Sequence, residues 1–173
     1  RSQSIARRFD TVLGILEAWE YVDGWSLTEA GEILARTFHE SDLLVAECIR
    51  QGLLDGLEPS NLAGLVSIFV YEHRSPEAPP APWFPSAEVK KRFTRCLAIS
   101  RELQDLEVKA GLPMHRGPDP TFVAIAFAWA AGEGFAEMVE DEELSGGDFV
   151  RTTKQLIDLL RQLAIVAPVP ETR

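Results

Sequence analysis

The residues of this chain that could do chemistry lie in a charged row near its C-terminal end. Four charged side chains recur there at spacings of three and four residues: Arg151, Lys154, Asp158 and Arg161. Such spacings place side chains on one face of a helix. The row fits a solvated helix face with pairs such as Lys154 and Asp158. It also fits a basic edge that binds the phosphate backbone of a nucleic acid.

The segment from Ser145 to Ala167 positions this row, and its pattern predicts the last helix of the chain. Gly146 and Gly147 interrupt the preceding structure, and Asp148 has a side chain that can cap the helix N-terminus. Mostly apolar side chains follow at helical spacing and predict a buried seam. They are Phe149, Thr153, Leu156, Leu160 and Leu163, with Val150, Ile157 and Ala164 beside them. The charged row therefore faces outward in this prediction.

The rest of the sequence has no pattern typical of an active site. It has no GxxxxGK[ST], GxGxxG, HExxH or GxSxG motif. His39 stands near Glu40 and Asp42, but polar residues before a helix explain this cluster better than a metal site does. Cys48 and Cys96 are isolated and fit small core residues in a reducing cytoplasm, with a disulfide as the open alternative. We expect no catalytic residue, metal or cofactor in this chain.

Composition predicts one globular domain with an acidic surface. The 173 residues are 46% hydrophobic and 25% charged, with a net charge of −10. That charge argues against bulk attraction to nucleic acid. The charge is uneven, however, because residues 86–101 contain five cations and only one acid, Glu88. The chain begins with Arg1, so we expect it to be a piece of a longer protein. Its longest uncharged apolar run, residues 121–132, is shorter than the roughly 20 residues that a membrane span needs.

Hydrophobic periodicity predicts an all-α fold, a bundle of about seven to eight helices with one small β-hairpin. The expected helices cover residues 5–19, 28–38, 43–51, 59–72, 86–109, 119–131 and 148–167, with a short acidic helix within 135–144. The hairpin is expected around Asp23 and Gly24. Ser26 stands at capping-box spacing from Glu29, at the start of the second helix. Residues 122–131 are apolar on all sides and are expected to form the buried central helix.

A proline-rich loop is predicted at residues 75–85, which contain five prolines. Trp83 and Phe84 within it are expected to anchor the loop on the body of the domain. A binding hot spot for a partner protein is the alternative.

Three stretches of the sequence resemble one known family. They are LTEAGEILARTFHESDLLVAECIRQGLLDGLEPSNLAGLVSIFVYEHR at 27–74, FAWAAGEGFAEMVEDEEL at 127–144 and GGDFVRTTKQLIDLLRQLA at 146–164. In order and spacing they resemble the DSHCT domain, the C-terminal helical domain of DExH-box helicases of the superkiller and exosome-associated type. The actinobacterial branch of that family is the most similar. The resemblance spans residues 5–165, although the proline-rich loop and the fifth helix match only in type.

The resemblance implies that residues 1–173 form one helical domain of an ATP-dependent RNA or DNA helicase. Two RecA-like motor domains upstream would bind ATP and Mg²⁺, and this domain would wall the channel of the translocating single strand. The family's strand contacts carry over to two places, the end of the VYEHR helix and the outward row of the final helix. These residues are Glu72, His73, Arg74, Arg151, Lys154 and Gln155. Relatives can have a carboxylate in place of His73 and an arginine in place of Gln155. A helix-end ion pair is the alternative for Glu72 and Arg74.

Two other functions remain open. A protein-docking adaptor would use Trp83, Phe84 and the acidic face Glu137–Glu143 to recruit a nuclease or another partner. A winged-helix regulator is suggested by the helix and hairpin within residues 11–36. It would need a base-reading helix directly before the hairpin, where this sequence is mostly apolar. In each case we expect a cytoplasmic protein.

Overall fold

The computed structural model describes residues 5–37, 39, 41–133 and 146–172. Seven α-helices and one two-stranded antiparallel sheet lie within these ranges, so the predicted all-α bundle with a hairpin is confirmed. The elements are α1 (Ile5–Ala18), β1 (Val22–Asp23), β2 (Ser26–Leu27), α2 (Glu29–Ala35), α3 (Asp42–Arg50), α4 (Pro59–Val70), α5 (Ala87–Lys109), α6 (Val123–Ala131) and α7 (Gly146–Val166). The acidic helix expected at 135–144 lies outside the described residues. No helix within the described ranges is long and apolar enough to cross a membrane.

Local signals set most helix ends. Ser86 accepts a hydrogen bond from the backbone N–H of Val89 at 3.2 Å and begins α5. Asp119 accepts from the N–H of Thr121 at 2.9 Å and begins a 3-10 turn that leads into α6. At the end of α5, Gly111 adopts a positive φ of 68°, a conformation that glycine adopts without steric cost.

The hairpin changes the cap expected for α2. Asp23 pairs with Ser26 across the two strands, and Gly24 with a φ of 59° lies in the turn between them. Because Ser26 belongs to β2, the prediction that it caps α2 is wrong. Thr28 is the cap instead, and its hydroxyl accepts from the N–H of Gly31 at 3.1 Å.

The core is centred on α4. Eight consecutive residues of this helix, 63–70, are buried, whereas α6 buries only Val123, Ile125 and Ala126. The two helices approach closely, since a Cβ at Gly64 would lie 3.3 Å from the carbonyl oxygen of Val123. The prediction that α6 is the central helix is therefore wrong. The helix α6 has apolar side chains on all of its sides, but α4 is the helix that is enclosed by its neighbours.

The proline-rich loop is anchored by its two aromatic residues. Trp83 contacts Phe127 of α6 with ring centroids 5.5 Å apart, and Phe84 contacts Phe93 of α5 at 5.1 Å. Both rings touch the body of the domain, as predicted. Trp83 nevertheless remains 48% exposed.

The first helix contributes no buried side chain. It ends at Ala18, and Glu20 follows with a φ of 62° that is unusual for a residue with a side chain. The N–H of Tyr21 then donates to the carbonyl of Leu16 at 2.8 Å, which completes a helix-terminating motif. Tyr21 itself is buried, so it ties the end of α1 to the core.

The hydroxyl of Tyr21 donates a hydrogen bond to a buried carboxylate. Glu47 of α3 accepts hydrogen bonds from Tyr21 Oη at 2.8 Å, Arg50 Nε at 2.9 Å and Gln51 Nε2 at 2.7 Å. Burial by itself raises the pKa of Glu47, but these hydrogen bonds outweigh it and hold the pKa below its ordinary value. Burial and the bond to Glu47 raise the pKa of Tyr21.

The two cysteines are core residues, as predicted. Cys48 of α3 and Cys96 of α5 are buried and form no disulfide, and their sulfur atoms lie 3.5 Å apart. Their hydrogen bond and their burial raise the pKa of the Cys48 thiol, which disfavours the reactive thiolate.

Candidate nucleic-acid interface

A cleft of about 710 Å³ lies where the C-terminal end of α4 meets α7. Its polar and charged lining comes from four separate parts of the chain. The lining includes His39, Tyr71, Glu72, Arg74, Arg116, Arg151, Gln155, Asp158 and Gln162. Four of the six residues predicted to contact a strand are therefore brought together here.

The α4 side of the cleft begins where the helix stops. The guanidinium of Arg116 donates to the carbonyl oxygens of Tyr71 and, at 2.7 Å, of Phe69. These carbonyls have no partner within a helix that ends here, and a cation is favourable beside them. The N–H of His73 donates to Asp119 Oδ2 at 2.7 Å. Both contacts fix the backbone that presents Glu72 to the cleft.

Glu72 and Arg74 form an ion pair with an Oε2–Nη2 distance of 2.8 Å. This pair was the predicted alternative to a role of these two residues in strand contact. Their side chains are 45% and 67% exposed. Pairs this exposed contribute little to stability. The Arg74 guanidinium can therefore exchange its partner for another anion at small cost.

The α7 side of the cleft begins with Arg151. Its guanidinium lies 2.8 Å from the carboxylate of Asp148, and the two side chains are 53% and 46% exposed. The helix already begins at Gly146, so Asp148 lies in the first turn. Asp148 is therefore not the residue that precedes the helix, as the sequence predicted, but a first-turn residue whose carboxylate contacts Arg151.

The outward row of α7 is exposed as predicted. Arg151, Lys154, Asp158 and Arg161 all have exposed side chains. Asp158 pairs with Arg161 at 3.8 Å, whereas the sequence suggested Lys154 as its partner. Gln155 is exposed one turn after Arg151, so both project into the cleft.

The buried face of α7 differs from the predicted seam. Thr152 and Leu159 are buried, while Val150 is 49% exposed and Ala164 is also exposed. The predicted inward positions of these last two residues are wrong. Packing against α4 rotates the helix toward Thr152 and Leu159, and this rotation brings Arg151 beside the end of α4.

His73 and Lys154 are not among the residues that line the cleft. The Nε2 atom of His73 lies 2.9 Å from the carbonyl oxygen of Glu77, so this ring contacts the start of the proline-rich loop. Lys154 is exposed on α7. Of the six predicted residues, these two therefore do not line the cleft.

Arg116 is the main cleft residue that the sequence did not reveal. It follows His115, which is fixed to α5 by four hydrogen bonds, two of its backbone and two of its ring. His115 Nε2 lies 3.0 Å from Ser100 Oγ, and Nδ1 lies 2.9 Å from Glu107 Oε2. A single arginine in a loop gives no periodic signal, so only the folded chain shows its position beside α4.

The cleft is less acidic than the chain as a whole. Three arginines and two carboxylates line it, which gives a slight positive charge within a chain of net charge −10. Its side chains include hydrogen-bond donors and acceptors, among them the amides of Gln155 and Gln162. Among the residues that the structure describes, no group of three or more His, Cys, Asp or Glu side chains could hold a metal ion.

Comparison with known proteins identifies the family. The model of the family described as the DSHCT (NUC185) domain matches residues 24–173. The chain belongs to the DSHCT family. The resemblance seen in the sequence is thereby confirmed.

Relatives of this DSHCT domain are named as helicases. The probable helicase HelY of Mycobacterium tuberculosis is 37% identical over 186 residues, which cover 99% of this chain and 20% of HelY. The exosome RNA helicase MTR4 of Homo sapiens is 24% identical over 143 residues, which cover 79% of this chain and 13% of MTR4. The similarity to HelY confirms the predicted actinobacterial branch. The chain spans about a fifth or less of the length of these relatives.

Proposed function

We propose that this chain is the C-terminal helical domain of an ATP-dependent DExH-box helicase, and that its cleft contacts the single strand that the helicase moves. One observation carries the proposal. Glu72 and Arg74 meet Arg151 and Gln155 at one cleft, although the two pairs are far apart in sequence. Membership of the DSHCT family and the helicase names of its relatives support the larger assembly.

The arginines of the cleft would bind the phosphates of the strand. Arg74 and Arg151 are each held by one carboxylate in an exposed pair. A phosphate can replace that carboxylate with bidentate hydrogen bonds. Lys154, exposed on the same helix as Arg151, would hold a phosphate at the edge of the cleft. Few phosphates are neutralised in this way, so binding should be weak and sensitive to salt.

The amides of the cleft would contact bases or sugars. Gln155 is exposed, and Gln162 lies two turns further along α7 in the same lining. An amide both donates and accepts, which suits base edges and the ribose 2′-hydroxyl. His73 is proposed for the same task, and its ring would have to leave the Glu77 carbonyl to reach the cleft.

The domain would act as a fixed wall or ratchet with no chemistry of its own. The seam of α7 is buried against the body, so the outward row has a rigid support while the motor domains move the strand. ATP and Mg²⁺ would bind to those motor domains in the full-length protein, because this sequence has no phosphate-binding loop. The unbonded thiols of Cys48 and Cys96 suit a reducing compartment, and we propose the cytoplasm.

The test is a double substitution in the full-length protein, Arg151→Ala with Lys154→Ala. We expect weaker single-strand binding, a smaller salt dependence and slower unwinding, while ATP hydrolysis without nucleic acid stays unchanged. The control Arg8→Ala with Arg36→Ala removes the same charge from exposed positions on α1 and next to α2. The proposal would be contradicted if the Arg151 and Lys154 variant unwinds at the normal rate and with normal coupling between ATP hydrolysis and movement of the strand.

A docking adaptor is the second candidate. One observation favours it, the 48% exposure of Trp83 on the proline-rich loop. The acidic face Glu137–Glu143 lies outside the described residues. A partner whose capture depends on Trp83, and persists after nuclease treatment, would support this function over strand contact.

A further inference from the structure

The helix α5 carries, between residues 90 and 101, a group of exposed cations that the cleft does not use. Lys90, Lys91 and Arg101 are exposed and form no ion pair with any residue that the structure describes. Arg95, between them, is 46% exposed, and its guanidinium donates to Gln51 Oε1 at 3.0 Å and lies 3.4 Å from the carboxylate of Glu102. No residue of α5 lines the cleft. We call Lys90, Lys91, Arg95 and Arg101 the α5 basic surface.

Among the cations of this region, Arg92 has the most structural contacts. Arg92 is 19% exposed and pairs with Glu88 at 2.8 Å. It also donates to the carbonyls of Leu53 and Asp55 at 3.1 Å and 2.6 Å. Arg92 therefore joins α5 to the turn after α3, whereas Lys90, Lys91 and Arg101 are exposed. In a chain of net charge −10, three neighbouring exposed cations that pair with no described acid form a surface suited to an anionic partner.

The arrangement fits a phosphate backbone. Lys90 and Arg101 are eleven residues apart, which places them on nearly the same side of the helix and about 16 Å apart along its axis. Each strand of a duplex carries one phosphate per about 3.4 Å of duplex axis, so a helix lying along that axis would span about five phosphates of one strand. Lys91 and Arg95 lie on the adjacent face and broaden the contact.

The described residues between these cations carry no exposed aromatic ring, which favours a duplex over a single strand. Sites for single strands combine cations with aromatic side chains on which bases stack. On the α5 basic surface, Thr94 and Ala98 lie between the cations, and the nearby ring of Phe93 is half-buried against Phe84. Such a surface can hold phosphates but offers no platform for bases.

We propose that the α5 basic surface binds the phosphate backbone of duplex nucleic acid, at a site separate from the single-strand cleft. The inference rests on the proposed role of this domain in a helicase. It adds a second contact that holds the double-stranded part of the substrate without reading its sequence.

The test measures binding of the 173-residue chain to a labelled blunt duplex and to a labelled single strand over a range of salt concentrations. The variant is Lys90→Gln, Lys91→Gln and Arg101→Gln. We expect its affinity for the duplex to fall about tenfold or more at low salt. Its salt slope should decrease by about 2.7, from three contacts at about 0.9 each. Affinity for the single strand should change much less.

The matched control removes three other exposed cations, through Arg8→Gln, Arg36→Gln and Lys109→Gln. It lowers the net charge equally, so an equal loss of duplex binding in both variants would overturn the proposal. Failure of the unmodified chain to bind the duplex would also overturn it. Loss of single-strand binding through Arg151→Ala tests the cleft separately, so the two proposals can fail independently. Thermal unfolding of both variants checks that the fold is retained.

Discussion

Substitution of Asp148 by asparagine should strengthen binding of a single strand to the cleft. The carboxylate of Asp148 forms an ion pair with the guanidinium of Arg151 at 2.8 Å. If Arg151 binds phosphate, this carboxylate competes with the nucleic acid for it. Asp148→Asn would weaken the competitor, keep the size of the side chain and remove a negative charge beside the strand.

The size of the effect follows from the exposure of the pair. The side chains of Arg151 and Asp148 are 53% and 46% exposed, and ion pairs between exposed groups contribute about 0–1 kcal/mol. Release of Arg151 therefore increases affinity by at most about fivefold, since about 1.4 kcal/mol corresponds to tenfold. Arg151→Gln should instead lower the affinity for a single strand, and it should lower the salt slope of that binding by about 0.7.

Fluorescence anisotropy with a labelled single strand, at several salt concentrations, measures both effects. Asp10→Asn on α1 is the control, because it changes the net charge equally at an exposed residue that does not line the cleft. The reasoning is refuted if Asp148→Asn leaves the affinity unchanged or lowers it while Arg151→Gln weakens binding. A thermal melt accompanies the assay, since loss of an acid from the first turn of α7 costs about 0.3–1 kcal/mol of stability.

Three further predictions concern stability, each measured by chemical denaturation. Gly31→Ala should destabilise the fold by about 1–3 kcal/mol or more, because its Cβ would lie 2.1 Å from the carbonyl oxygen of Tyr21. The control Gly14→Ala, with no atom within 4 Å of the new Cβ, should stabilise it by up to about 1 kcal/mol. Tyr21→Phe should cost about 1.5–3 kcal/mol at neutral pH. Its hydrogen bond helps to lower the pKa of Glu47, so this cost should shrink as the pH falls below the ordinary range of a glutamate and through the lowered pKa of Glu47, where the carboxylate becomes protonated. A cost that stays constant while Glu47 becomes protonated, as followed by NMR, would show that Glu47 is not involved. Glu20→Gly should stabilise by up to about 1 kcal/mol, since a left-handed residue with a Cβ costs about 1–2 kcal/mol and the freedom of glycine when unfolded offsets part of that. A loss of stability would contradict this explanation of its φ of 62°.

The sequence alone determined the helices, the hairpin and the family, because the signals for these features are local or lie in a continuous pattern. Ser86 caps α5 through a bond to a backbone N–H three residues away. Asp23 and Gly24 form the hairpin turn within a few residues. The strand-contact residues were inferred from resemblance, and their roles remain predictions.

Only the tertiary structure decided which surfaces meet, because that depends on contacts between residues far apart in the chain. It placed α4, not α6, at the centre, and it rotated α7 so that Leu159 is buried and Val150 exposed. It brought Arg116 to the end of α4 and turned the His73 ring toward Glu77. Periodicity shows that a helix has an apolar side, but the partner that covers this side is selected by packing of the whole domain.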